Sequence, residues 1–175
     1  PLRRQRQMCI RDRYNTIMGG NAGDGFDTES HNTFIGYAVG GNPSLAGAEK
    51  CVGVGSSALG GAITQDGTVA IGYNTLGSLT SGAENIAIGY QCMDAVDDGA
   101  ENIAIGYQAM SGETSGAQSI AIGSEALKIA NTTGAGTVGN IMIGHNNGIA
   151  ITTGVRNTVV GAWSMQSNET GNNNT

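Results

Sequence analysis

The chain has 175 residues, with 30 Gly, 2 Pro, 13% charged residues and a formal net charge of −6. That is room for one ordinary domain, with Gly far above its usual share of roughly 7%. Gly does not fall at every third position, which excludes collagen, and Ile, Val, Leu and Met recur in register, which excludes simple disorder. No apolar run reaches the length of about 18 residues that a membrane-spanning helix needs.

The opening stretch, PLRRQRQMCIRDR, is the one strongly basic segment. QMCIRD is what CAG ATG TGT ATA AGA GAC encodes. That string resembles the transposon end of a sequencing-library adaptor, so residues 1–13 are expected to be translated adaptor and not native protein. The competing reading is a basic arm for nucleic acid. Without these residues, Lys50, Lys128 and Arg156 stand against thirteen acidic residues, a net charge of −10. Such a chain has no field to attract phosphate backbones, so nucleic acid is not an expected partner.

From Tyr14 onward the chain repeats one phrase. A Gly closes its apolar core at Gly19, Gly36, Gly55, Gly72, Gly89, Gly106, Gly123, Gly144 and Gly161, with a dominant spacing of 17 residues. In chain order, the predicted strands are centred on Ile17, Phe34, Gly53, Ala70, Ala87, Ala104, Ala121, Met142 and Val159. Each centre is flanked by β-branched or apolar residues, such as Ile86 and Ile88 or Ile103 and Ile105. Short β-branched runs stopped by Gly favour strands over helices. A second apolar point follows four residues after the Gly at Leu59, Leu76, Met93, Met110, Leu127 and Met165. Pairs such as Gly99-Ala100, Gly116-Ala117 and Thr170-Gly171 mark a second turn. Each phrase therefore reads as one coil of a parallel β-solenoid, with two short strands and two turns. The recurrent Gly reads as a turn position that needs positive φ or close backbone approach. About nine coils at ~4.8 Å make an all-β rod of roughly 43 Å. The repeat region spans residues 14–175 and breaks off in mid-phrase at Asn174-Thr175, so it is expected to be truncated at both ends.

Side chains alternate across a strand, so Ile86 and Ile88 share one face and Ala87 takes the other. With the Ile columns inside, Ala70, Ala87, Ala104 and Ala121 would form an outward apolar stripe. Such a stripe requires a cover, and the simplest one is a second copy of the chain. These alanines are the expected oligomer face.

The phrases TVAIGYNTL, NIAIGYQAM and SIAIGSEAL (Thr68–Leu76, Asn102–Met110 and Ser119–Leu127) resemble the S-V-A-I-G repeats of YadA-like trimeric adhesin heads. They are still more similar to the N-T-A-I-G-Y-Q-A-L repeats of bacteriophage tail fibres, which the long period also favours. The resemblance covers nearly everything from Tyr14 onward. It implies a left-handed β-roll, a homotrimer, and a structural, adhesive role in host-cell attachment. The implied location is the virion, or alternatively the bacterial outer-membrane surface for an autotransporter adhesin that binds host surfaces or matrix. The receptor would be a cell-surface glycan or protein, with no membrane insertion by this segment. Three departures stand out: Gly53 replaces Ala, and Gly40 and Gly148 replace the late Leu. The first two coils and the Asn140–Gly148 coil are expected to be the weakest.

Residues that could carry chemistry are few. Tyr37, Tyr73, Tyr90 and Tyr107 follow the Gly in their coils. They would either stack on sugar rings or shield the turn as a ladder. Tyr73, Tyr90, Tyr107 and the single Trp, Trp163, are the candidate ligand-binding residues. Glu84, Glu101, Asp97 and Asp98, and the stretch from Asn21 to His31, are acidic turns without the spacing of a calcium loop. His31 and His145 lie far apart, and no Ser or Cys has a base in register. No catalytic residue, metal or cofactor is expected, and the chain is not expected to be an enzyme. Cys51 and Cys92 sit two coils apart, too far for a disulfide, and read as buried free thiols. The sequons Asn131-Thr132-Thr133 and Asn168-Glu169-Thr170 read as chance matches.

Overall fold

The structure is a computed structural model that describes residues 14–24, 29–41, 47–130, 136, 138–167 and 169–175. The adaptor-like residues 1–13 lie outside them. Among the described residues nine three-residue strands form one parallel sheet in sequence order. They are β1 (Thr16–Met18), β2 (Thr33–Ile35), β3 (Val52–Val54), β4 (Val69–Ile71), β5 (Ile86–Ile88), β6 (Ile103–Ile105), β7 (Ile120–Ile122), β8 (Ile141–Ile143) and β9 (Thr158–Val160). Pairing is in strict register, for example Ala70 to Ala87 and Ala87 to Ala104. The protein is a β-solenoid with a period of about 17 residues, and the described residues contain no helix.

Among the described residues each coil holds one strand where two were expected. The other wall is a run of turns, and the left-handed backbone conformation builds it. In the sixth coil Glu101, Gln108 and Met110 have φ of 57°, 50° and 51°, and Gly106 has 143°. Equivalent residues do the same in the neighbouring coils, among them Glu84, Gln91 and Met93. A non-glycine residue in this region costs roughly 1–2 kcal/mol. Bonds between coils offset that cost. The amides of Glu101, Gln108 and Met110 donate to the carbonyls of Ala83, Tyr90 and Ala126 at 2.9, 3.0 and 3.0 Å. The Gly column has a further constraint. A Cβ on Gly106 would collide with the carbonyl of Gly123, and one on Gly89 with that of Gly106. Glycine is needed there for close approach as well as for φ.

The strand faces are the reverse of the expected arrangement. Ala70, Ala87, Ala104 and Ala121 are completely buried inside the coil, and Ile86, Ile88, Ile103, Ile105 and their equivalents point outward. These alanines therefore cannot be an oligomer face. The reason is space. The interior is filled from the turn wall by Leu59, Leu76, Met93, Met110 and Leu127, all fully buried, and only a small residue fits opposite them.

The departures from the repeat follow the same rule. Where the strand centre is large, as at Ile17, Phe34 and Met142, the late position is Gly23, Gly40 or Gly148. A Cβ on Gly40 would collide with the Phe34 ring, and one on Gly148 would come within 2.9 Å of the Met142 sulfur. Phe34 and Met142 occupy the volume that a Leu or Met fills from the other wall elsewhere. At this paired position each coil thus holds one large side chain, from one wall or the other, besides corner residues such as Ile63, Leu79, Val96 and Ile151. Val159 with Met165, both only partly buried in the last coil, is the exception.

A buried asparagine column ties the coils together. Asn102 Oδ1 accepts from the Ser119 amide at 2.9 Å, and its Nδ2 donates to the Gly116 carbonyl at 2.8 Å. Asn32, Asn85, Asn140 and Asn157 repeat both bonds in their coils. Cys51, Thr68 and Ser119 interrupt the column; Ser119 Oγ still accepts from the Asn140 amide at 3.2 Å, whereas the buried Thr68 hydroxyl has no partner.

Four outcomes follow for chemical denaturation. Ala104→Phe should destabilise by about 1–3 kcal/mol through overpacking. Adding Met110→Gly should recover most of that loss, with a coupling of about 1–3 kcal/mol in the double-mutant cycle. Asn102→Ala should cost about 2–4 kcal/mol by stranding two backbone groups, and Thr68→Asn should stabilise by about 1 kcal/mol by extending the column.

Candidate functional site

Among the described residues the outward columns are the only surfaces on which the candidate residues converge. Residues that follow the turn Gly project from the flank of the stack in single file. Tyr73, Tyr90 and Tyr107 stack on one another with centroids 5.3 and 5.6 Å apart and planes inclined by 17° and 13°. All three are about half exposed. In the interior of this ladder each ring face meets another ring, so both faces of Tyr90 are occupied. Along the ladder only the ring edges and hydroxyls are presented to solvent. An amide ladder runs beside it, where Gln108 Nε2 donates to Gln91 Oε1 at 3.1 Å. Trp163 stands apart from the tyrosines. It is exposed and meets the His145 ring edge-on, with centroids 4.9 Å apart. His31 is separate again, stacked on Tyr14 at 5.0 Å.

The acidic candidates are solvated. Glu84 and Glu101 lie on the surface in adjacent coils, and Glu101 accepts from Gln118 Nε2 at 3.0 Å. Asp97 accepts from the Thr80 hydroxyl. No group of three metal-ligating side chains assembles among the described residues. Residues 25–28 of the acidic stretch, the sequon at residues 131–133 and Asn168 of the second sequon lie outside the described residues. The ion pairs Lys50–Asp66 and Lys128–Glu125, at 3.3 and 3.0 Å, are surface pairs of small energetic weight.

Two buried groups have structural roles. Glu113 is fully buried at a corner where the two preceding coils place Leu79 and Val96. Its Oε1 accepts from the amides of Thr114, Ser115 and Gly116 at 3.0, 3.3 and 2.9 Å. This carboxylate ties down its own turn. Nothing in SGETSGA distinguishes it from an ordinary polar turn, so the sequence did not reveal it. Cys51 and Cys92 are free and buried, in different columns of the interior. Burial pushes the Cys92 thiol up to about 12, and the nearby Asp94 carboxylate adds to the shift. Its Sγ donates to the Ala104 carbonyl at 3.2 Å.

Comparison of the chain with protein-family models, curated proteins and solved structures gives no match. The functional reading therefore rests on the repeat and on the geometry above.

The thiol has a measurable consequence. Below its ordinary value of 9.0, Cys92 is protonated in both folded and unfolded chains and leaves stability independent of pH. Between 9.0 and about 12 the unfolded chain gives up the proton that the folded chain keeps. Stability therefore falls across that window. Cys92→Ala should flatten the fall in alkaline denaturation curves, and native Cys92 should resist thiol reagents at pH 8 until the chain unfolds.

Proposed function

We propose that the chain is a structural and adhesive segment of a homotrimeric phage tail fibre that contributes to attachment of the virion to its host cell. One observation carries this reading. The outward strand face is an uninterrupted apolar stripe, with Val52 and Val54, Val69 and Ile71, Ile86 and Ile88, Ile103 and Ile105, Ile120 and Ile122, and Ile141 and Ile143 in register. Ile71, Ile105 and Ile143 are more than a third exposed. From β3 to β8, five coil spacings of ~4.8 Å make the stripe roughly 24 Å long. A continuous apolar band of that size is unusual on a monomer and fits an interface. Its strict parallel register fits parallel copies packed around a shared axis, with the Ile columns meeting at the centre. The tyrosine flank and acidic turns would then face outward. The repeat phrases, similar to those of phage fibres, support the trimer and the location. A mechanical element of this kind has no need of catalytic residues, so we read it as non-enzymatic.

Sedimentation tests the assembly. The chain should sediment as a trimer. Ile105→Asp, an outward substitution that leaves the interior untouched, should convert it to a monomer with an unchanged circular dichroism spectrum. A wild-type chain that is monomeric at micromolar concentration would sink the proposal.

A further inference from the structure

The column that follows the turn Gly reads, coil by coil, Gly20, Tyr37, Ser56, Tyr73, Tyr90, Tyr107, Ser124, His145 and Ala162. Where tyrosines are consecutive they stack at 5.3 and 5.6 Å, one ring per coil. At Ser56 the ladder is interrupted while the backbone register is kept. The Ser57 amide donates to the Tyr37 carbonyl at 2.9 Å, and the Asn74 amide donates to the Ser56 carbonyl at 3.0 Å. Tyr37 and Tyr73 therefore stand in one file two coils apart, about 9.6 Å at the ~4.8 Å coil spacing. The register leaves the place of one ring between them, over the small Ser56. Tyr37 is the most exposed tyrosine of the ladder column, at 61%. Its other neighbour in the column is Gly20, so it has no second ring to stack on.

A ring inserted over Ser56 would lie about 4.8 Å from each tyrosine, inside the range of about 4.5–7 Å for ring stacking. That is close to the 5.3 and 5.6 Å the protein already uses between Tyr73, Tyr90 and Tyr107. The rim of the gap carries hydroxyls and an amide, from Ser56, Ser57 and Asn74, and no charged side chain occupies these two columns in the three coils concerned. Two apolar walls with a neutral hydrogen-bonding rim match a sugar ring that has C–H faces and equatorial hydroxyls. We propose that the gap between Tyr37 and Tyr73 is a binding site for one pyranose ring of a neutral glycan. The site belongs to the flank of a single coil stack and does not depend on the fibre reading or on the number of subunits.

The test titrates the full chain, carrying ring-labelled tyrosine, with chitotriose and follows the tyrosine ring resonances by NMR. Saturable shifts are expected at Tyr37 and Tyr73, with Tyr90 unmoved. Ser56→Tyr, which fills the gap with a ring of the protein's own, should abolish the response without lowering thermal stability. Tyr37→Ala, a surface change, should weaken binding at least tenfold. Absence of saturable shifts would overturn the proposal, as would a response that survives Ser56→Tyr. Shifts with phenol but not with chitotriose would overturn the assignment to carbohydrate.

Discussion

At each turn glycine before Gly161 the backbone of the next coil comes so close that its carbonyl occupies the place a Cβ would take, as Gly123 does for Gly106. That approach holds one edge of the coil at the closest spacing two chains can reach. The strand on one side and the left-handed turns on the other are hydrogen-bonded to the same neighbours. The coil cross-section is then narrow and nearly constant along the stack. Between the strand centre and the turn wall opposite it one large side chain fits, and it can come from either wall. The alternation of Ala104 with Met110 and of Phe34 with Gly40 is the direct result.

Stacking identical coils brings like residues together, and each column is acceptable only if its residue tolerates a copy of itself above and below. Asparagine does so inside, because its amide both donates and accepts. One side chain therefore bonds the adjacent coil's amide and a turn carbonyl together, as Asn102 does. Tyrosine does so outside, by ring stacking. Glutamate does so less well, since like charges repel, and Glu101 is followed in its column by Gln118, which donates to it. Isoleucine tolerates copies along the outward strand face, but the resulting stripe still faces water. The stack thus closes its interior by itself and leaves one flank suited to a second chain.

The two flanks have different chemistry. The Ile columns offer an apolar surface with no polar anchor, which fits a partner with the same shape and register. The tyrosine column offers ring edges, hydroxyls and amides, with a one-ring interruption at Ser56. Assembly and recognition can therefore occupy different sides of the same rod.

Much of the architecture was legible in the sequence. The period, the strand centres, the turn glycines and the solenoid all follow from residues that recur every 17 positions, because a stacked coil requires the same backbone geometry in each copy. The column of tyrosines could also be read directly, since equal places in a repeat become neighbours. The tertiary structure alone decided which strand face is inside. Alternation separates Ala87 from Ile86 and Ile88 but does not say which side the turn wall fills. Hydrophobicity favours Ile inside, and the volume taken by Leu76, Met93 and Met110 forces Ala there instead. The second strand failed to form because those residues sit at φ near 50°, a conformation that apolar composition does not signal. Glu113 and the asparagine column were hidden for a related reason. In a sequence they are polar residues among others, and only the folded coil shows that the groups they bond lie out of water.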